Sequence, residues 1–130
     1  MSKRILAIDD DPDVLEMYTL ILEMEGYEVM TLLSPDNMAG AIFDFVPDLV
    51  LLDIQLGYYN GLELCSKIKA NPMTANIPVF IISGHESIRS AKTEYGANDY
   101  IEKPFDVSYL LEKVDDCLSG KIVAFRRASA

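Results

Sequence analysis

Along the chain, short apolar runs alternate with longer segments in which hydrophobic residues return every three or four positions. The runs are RILAI (4–8), YEVMTL (27–32), DLVLL (48–52), IPVFII (77–82) and DYI (99–101), and helix-like sequence follows each of them. Five strand–helix repeats are therefore expected, with helices over 12–25, 35–45, 61–70, 86–95 and 106–118. The runs are nearly continuous in apolar residues rather than alternating. Strands of that kind are buried on both faces, as in a parallel sheet covered by helices on each side. Turn signals fall at EGYE, VPD, NP and YGAND, and no linker interrupts the pattern. The expectation is one doubly wound α/β domain over 1–120, a C-terminal tail over 121–130 and no separate output domain.

Composition supports a packed body and removes some functions. Half of the 130 residues are hydrophobic, enough for a sizeable core in one domain. A net charge of −10 argues against direct nucleic-acid binding, and Arg126-Arg127 reads as part of the tail. No apolar stretch is long enough to span a membrane, and MSKRILAI runs into aspartates instead of a signal-peptide core. A soluble, cytoplasmic protein is expected. Cys65 and Cys117 lack metal-ligand spacing and sit in helical segments, so they read as ordinary buried thiols.

The stretch IDDDPDV is where charge changes the picture, with four aspartates in five positions after the first strand. Asp11 followed by Pro12 reads as an N-cap and first helical residue, and Asp13 suits the positive end of the helix dipole. Asp9 and Asp10 remain, at the carboxyl end of a strand, where open α/β sheets bind ligands. The third strand runs into Asp53, the fourth into Ser83 and the fifth into Lys103. These ends share one edge of a parallel sheet. Carboxylates converging there need a cation, and an all-oxygen donor set favours Mg²⁺. A lysine and a hydroxyl beside that ion suit a phosphoryl group.

With these residues in place, the chain from about Lys3 to Leu118 resembles the receiver domain of two-component response regulators. The acidic pair matches Asp9 and Asp10, the phosphoacceptor Asp53 in LVLLDIQLGYYNGLEL, the hydroxyl Ser83, and the lysine Lys103 in GANDYIEKPF. The resemblance implies a flavodoxin-like five-stranded sheet in order 2-1-3-4-5. It also implies Mg²⁺-dependent phosphoryl transfer to Asp53 from a histidine kinase or histidine phosphotransfer protein. Asp10 and Asp53 would bind the ion directly, Asp9 through water and Gln55 through its backbone carbonyl. Lys103 and Ser83 would bind the new phosphoryl oxygens, and Tyr100 would be the aromatic switch that alters the surface of the fourth helix, fifth strand and fifth helix. Gln55 and His85 would flank the hydrolytic water and tune phosphate loss. Chemistry would be limited to self-phosphorylation and self-dephosphorylation, and the Lys103-Pro104 peptide would be cis.

The chain departs from the common pattern at Gly57, Gly84 and Ser83, none of which removes a required group. Gly57 is expected to loosen the loop after Asp53, beside Tyr58 and Tyr59. The segment 86–95, with few large apolar residues besides Ile88 and Tyr95, is expected to pack weakly. Helix 12–25 carries a wide apolar arc, part of which is expected to be exposed. A Mg²⁺-dependent aspartyl-phosphate phosphohydrolase of the haloacid dehalogenase type is the alternative, although Asp53 begins Asp-Ile-Gln and lacks that class's second acid. A flavodoxin-like FMN binder is disfavoured, because Asp9 to Asp11 stand where a flavin phosphate would bind.

Overall fold

The computed structural model describes residues 2–119; the tail over 121–130, with Arg126 and Arg127, lies outside the described residues. Apolar segments form β1 (Arg4–Ile8), β2 (Glu28–Leu32), β3 (Leu49–Leu52), β6 (Val79–Ser83) and β7 (Asp99–Glu102). They build one sheet in the order β2-β1-β3-β6-β7, with every pairing parallel. Apart from a small separate hairpin, that is the expected order 2-1-3-4-5.

Alternation along the strands divides the core in two. Leu6, Ile8, Val50, Leu52, Val79 and Ile81 face α2 (Met38–Phe45), α3 (Gly61–Ala70) and α4 (Ala91–Tyr95), whose Ile42, Leu62, Cys65, Ile68 and Ala91 share their cluster. Ile5, Ala7, Leu49, Leu51, Phe80 and Ile82 face α1 (Pro12–Met24) and α5 (Val107–Leu118) through Leu15, Tyr18, Leu22, Leu110 and Val114. Both sheet faces are thus covered, which is why the strand sequences carry no polar alternation. Cys65 is buried, Cys117 half-buried, and both are free thiols. Leu20 and Met24 on α1 are 63% and 79% exposed, so part of the apolar arc faces solvent as expected. Among the described residues no helix is long and apolar enough to cross a membrane.

Three local expectations need correction. The loop after Asp53 is not loose: β4 (Gln55–Leu56) and β5 (Tyr59–Asn60) pair as an antiparallel hairpin. Gly57 takes φ +65° at the first loop position, the positive φ that tight hairpin turns require. The Tyr59 hydroxyl then ties the hairpin to Asp36 Oδ1 at 2.6 Å. The second expected helix begins as a 3₁₀ turn over Pro35–Asn37, entered from Ser34, whose Oγ accepts from the Asp36 N–H. The fourth is 3₁₀ over Glu86–Ser90 and α-helical only from Ala91. There Ser87 Oγ meets the His85 ring at 2.6 Å and Ser90 Oγ donates to the Ser87 carbonyl at 2.8 Å, local bonds that compete with the helical ladder.

Candidate functional site

The parallel register brings the predicted strand-end residues to one rim. Ile8 lies opposite Leu52, so Asp9 and Asp53 emerge side by side, and the Asp53 N–H donates to the Ile8 carbonyl at 3.2 Å. Ser83 ends β6 opposite Glu102 of β7, and the Lys103 N–H donates to the Ser83 carbonyl at 3.0 Å. Asp11 caps α1 by accepting from the Asp13 N–H at 2.9 Å, as expected. Asp9 also serves the turn, its Oδ1 accepting from the Asp11 N–H at 2.9 Å. The Lys103-Pro104 peptide is cis, as expected.

Asp9, Asp10 and Asp53 each offer a carboxylate oxygen within 4.8 Å of the others. Lys103 Nζ lies between two of them, 2.7 Å from Asp9 Oδ2 and 3.2 Å from Asp53 Oδ2. Asp9 is 2% exposed, Asp10 is exposed, and the Asp53 side chain is 12% exposed. Burial pushes the Asp9 carboxyl above the usual carboxylate range, against the opposing pull of Lys103 and the Asp11 N–H. Burial also pulls on the Lys103 ammonium, but the bonds to Asp9 and the charge of Asp53 hold it above the ordinary lysine value. The gain therefore sits on the lysine and the cost on the buried acid. One ammonium faces three carboxylates, so the rim keeps excess negative charge, and its donors are all oxygen. That set fits a hard divalent ion such as Mg²⁺.

The loop after Asp53 is shaped by a residue that the sequence pattern did not single out. Gly61 starts α3 with its N–H donating to the Ile54 carbonyl at 2.7 Å. A Cβ there would stand 1.8 Å from the Asp53 carbonyl oxygen and 2.8 Å from its carbon, so only glycine lets the helix approach this closely. Asn60 caps the helix, accepting from the Leu62 N–H at 2.8 Å. The Asn-Gly pair was the available signal, but it reads equally as a simple turn. Asp53 Oδ1 accepts from the Ile54 N–H at 2.7 Å, which fixes the carboxylate on its own backbone.

The remaining candidates lie around this centre. Ser83 is buried, and its Oγ accepts from the His85 N–H at 3.1 Å. Gln55 is exposed at the start of β4. His85 is exposed, and its Nδ1 accepts from the Ser87 N–H at 3.1 Å, capping the 3₁₀ turn. Tyr100 is half-buried against the core under α4. It borders an open groove of about 600 Å³ with Lys92, Glu102, Pro104, Phe105 and Tyr109. Among the described residues, none of Gln55, His85 and Tyr100 bonds to the three carboxylates.

Comparison with known proteins gives the same picture. The response regulator receiver domain family model matches residues 5–115. The chain is 35% identical over 116 residues to the phosphate regulon transcriptional regulatory protein PhoB of Pseudomonas aeruginosa, covering 88% of this chain and 51% of that protein. It is 34% identical over 113 residues to the DNA-binding dual master transcriptional regulator RpaA of Synechocystis, covering 85% and 47%. The chain thus spans about half the length of these relatives. Among solved structures, a putative response regulator from Chloroflexus aurantiacus superposes with a TM-score of 0.84 at 33% identity, covering 92% of this chain and 99% of that one. A CheY-like receiver domain protein from Methanospirillum hungatei also gives 0.84, at 30% identity with 95% and 99% covered. Since the family model runs from the first strand into the last helix and takes in every strand-end residue of the rim, the chain belongs to the response regulator receiver domain family of two-component signalling systems.

Proposed function

We propose that Asp53 accepts a phosphoryl group from a phosphohistidine of a histidine kinase or histidine phosphotransfer protein, and that the modified domain changes its partner binding through the face of α4, β7 and α5. The observation that carries this reading is Lys103 Nζ held between Asp9 and Asp53 on the rim that Asp10 completes. In the transfer, an Asp53 carboxylate oxygen bonds to phosphorus as the P–N bond breaks, and the imidazole nitrogen leaves with the bonding pair. The Ile54 N–H orients the nucleophile. Lys103 moves its donation to the phosphoryl oxygens, and the Ser83 hydroxyl donates to another.

Asp10 and Asp53 would hold Mg²⁺ directly, with Asp9 acting through water and Gln55 through its carbonyl. When bound, the ion supplies the positive charge that lets an anionic carboxylate meet an anionic phosphoryl group. Drawing in Ser83 would open space beneath α4 for Tyr100, and its place on the border of the groove supports that face as the readout. Phosphate loss is tuned by Gln55 and His85; with the Nδ1 of His85 held by Ser87, its Nε2 is the ring nitrogen that would serve a water. The domain itself acts on proteins in the cytoplasm, not on DNA, since its charge is strongly acidic.

The test is incubation with acetyl phosphate in the presence and absence of Mg²⁺, counting both bound phosphate and released phosphate. At most one acid-labile phosphate per chain, dependent on Mg²⁺ and followed by slow release, is expected. Sustained turnover of small phosphoesters would favour the phosphohydrolase alternative instead.

A further inference from the structure

Tyr18 is the polar group that the site, as described so far, does not use. It lies on the inner face of α1, 2% exposed, with its ring stacked on Phe105 at 6.5 Å between centroids and 11° between planes. Its hydroxyl is buried and has no hydrogen-bond partner among the described residues. Such a group costs free energy in the state that leaves it unsatisfied. A helical side chain leans toward its helix N-terminus, and the N-terminus of α1 is the turn that carries Asp9 to Asp11. Phe105, its stacking partner, lies two residues after Lys103. Burial, then the charges of Asp9 and Asp53, raise the phenol's pKa, so it stays a donor.

The complementary deficit appears on Asp9. Its Oδ2 is satisfied by Lys103, the group that phosphorylation draws away. Asp9 would then keep the Asp11 N–H on Oδ1 but leave Oδ2 without a protein donor, a costly state for a carboxylate this buried. We propose that Tyr18 is a positioning residue whose hydroxyl donates to the Asp9 carboxylate when Lys103 leaves it for a phosphoryl group on Asp53. The inference rests on the reading of Asp53 as phosphoacceptor.

Tyr18→Phe keeps the ring and its stacking and removes only the hydroxyl. The probes are Mg²⁺ alone, which leaves Lys103 on Asp9, and beryllofluoride with Mg²⁺, a mimic of the phosphoryl group. Relative to wild type, the variant should bind Mg²⁺ within about twofold and beryllofluoride about tenfold more weakly, the size of one buried bond to a charged group. Equal beryllofluoride affinities overturn the inference, as does an equal weakening of both ligands, which would mean general distortion of the site. A wild-type protein that binds no beryllofluoride overturns the phosphoacceptor reading and this inference together.

Discussion

Gly61 decides where Asp53 can stand, because the first turn of α3 and the Asp53 backbone come so close that no side chain fits between them. The atoms a Cβ would meet are backbone, the Asp53 carbonyl and Ile54 Cα, and neither can swing aside as a flexible side chain would. Gly61→Ala should therefore move the acceptor loop or the helix at a cost of about 2 kcal/mol, the ordinary range for forced overpacking. In a domain of this size that lowers the thermal midpoint by roughly 8 °C. Phosphorylation at Asp53 should slow as well, since the carboxylate is aligned through the Ile54 N–H. An unchanged midpoint would show that the helix start yields without strain. His85 shows the opposite relation between residue and site. Its Nδ1 accepts from the Ser87 N–H, so one ring nitrogen of this histidine shapes the entry to α4.

The last helix is held by bonds that cross between elements. Lys113 Nζ donates to Asp99 Oδ2 at 2.7 Å and lies 5.8 Å from the Tyr109 ring centre, joining α5 to the start of β7. The Tyr27 hydroxyl donates to Asp115 and ties the same helix to the turn before β2. The bond to Asp99 raises the Lys113 ammonium above the ordinary lysine value of 10.5, overcoming partial burial. A cation raised on folding adds stability that is complete below its unfolded pKa and disappears as pH climbs through its folded one. Lys113→Met should thus lower the midpoint at neutral pH by an amount equivalent to about 0.5 kcal/mol, the scale of a partly exposed pair. The gap between variant and wild type should close above pH 10.5 or so. A gap that persists there would assign the loss to packing rather than charge. Because α5 and β7 both belong to the proposed output face, the same variant should also alter partner binding.

The three acidic side chains meet because β1 pairs with β3, so the proposed ion site forms in the folded chain and not in the unfolded one. Mg²⁺ at about a hundred times its dissociation constant should then raise stability by about 2.7 kcal/mol, reversed by a chelator. No shift in the midpoint would mean that the rim holds no such ion. This convergence is legible in the sequence: strands read as continuous apolar runs, so their carboxyl ends, and with them Asp9, Asp10, Asp53, Ser83 and Lys103, fall on one edge. The β4–β5 hairpin was not, because two-residue strands are too short to show alternation. Gly61 hid in an ordinary turn signal, and Tyr18 in the apolar arc of α1, since spacing shows which face a residue occupies but not whether its hydroxyl finds a partner.

The account stands on Asp53 as the phosphorylated residue, and borohydride reduction tests that most directly, because it converts an acyl phosphate on aspartate to homoserine. The protein is treated with acetyl phosphate and Mg²⁺, reduced, digested and sequenced by mass spectrometry. Homoserine should appear at position 53 and vanish when Mg²⁺ is chelated. Homoserine at another aspartate, or none in a sample that carries acid-labile phosphate, would contradict the assignment.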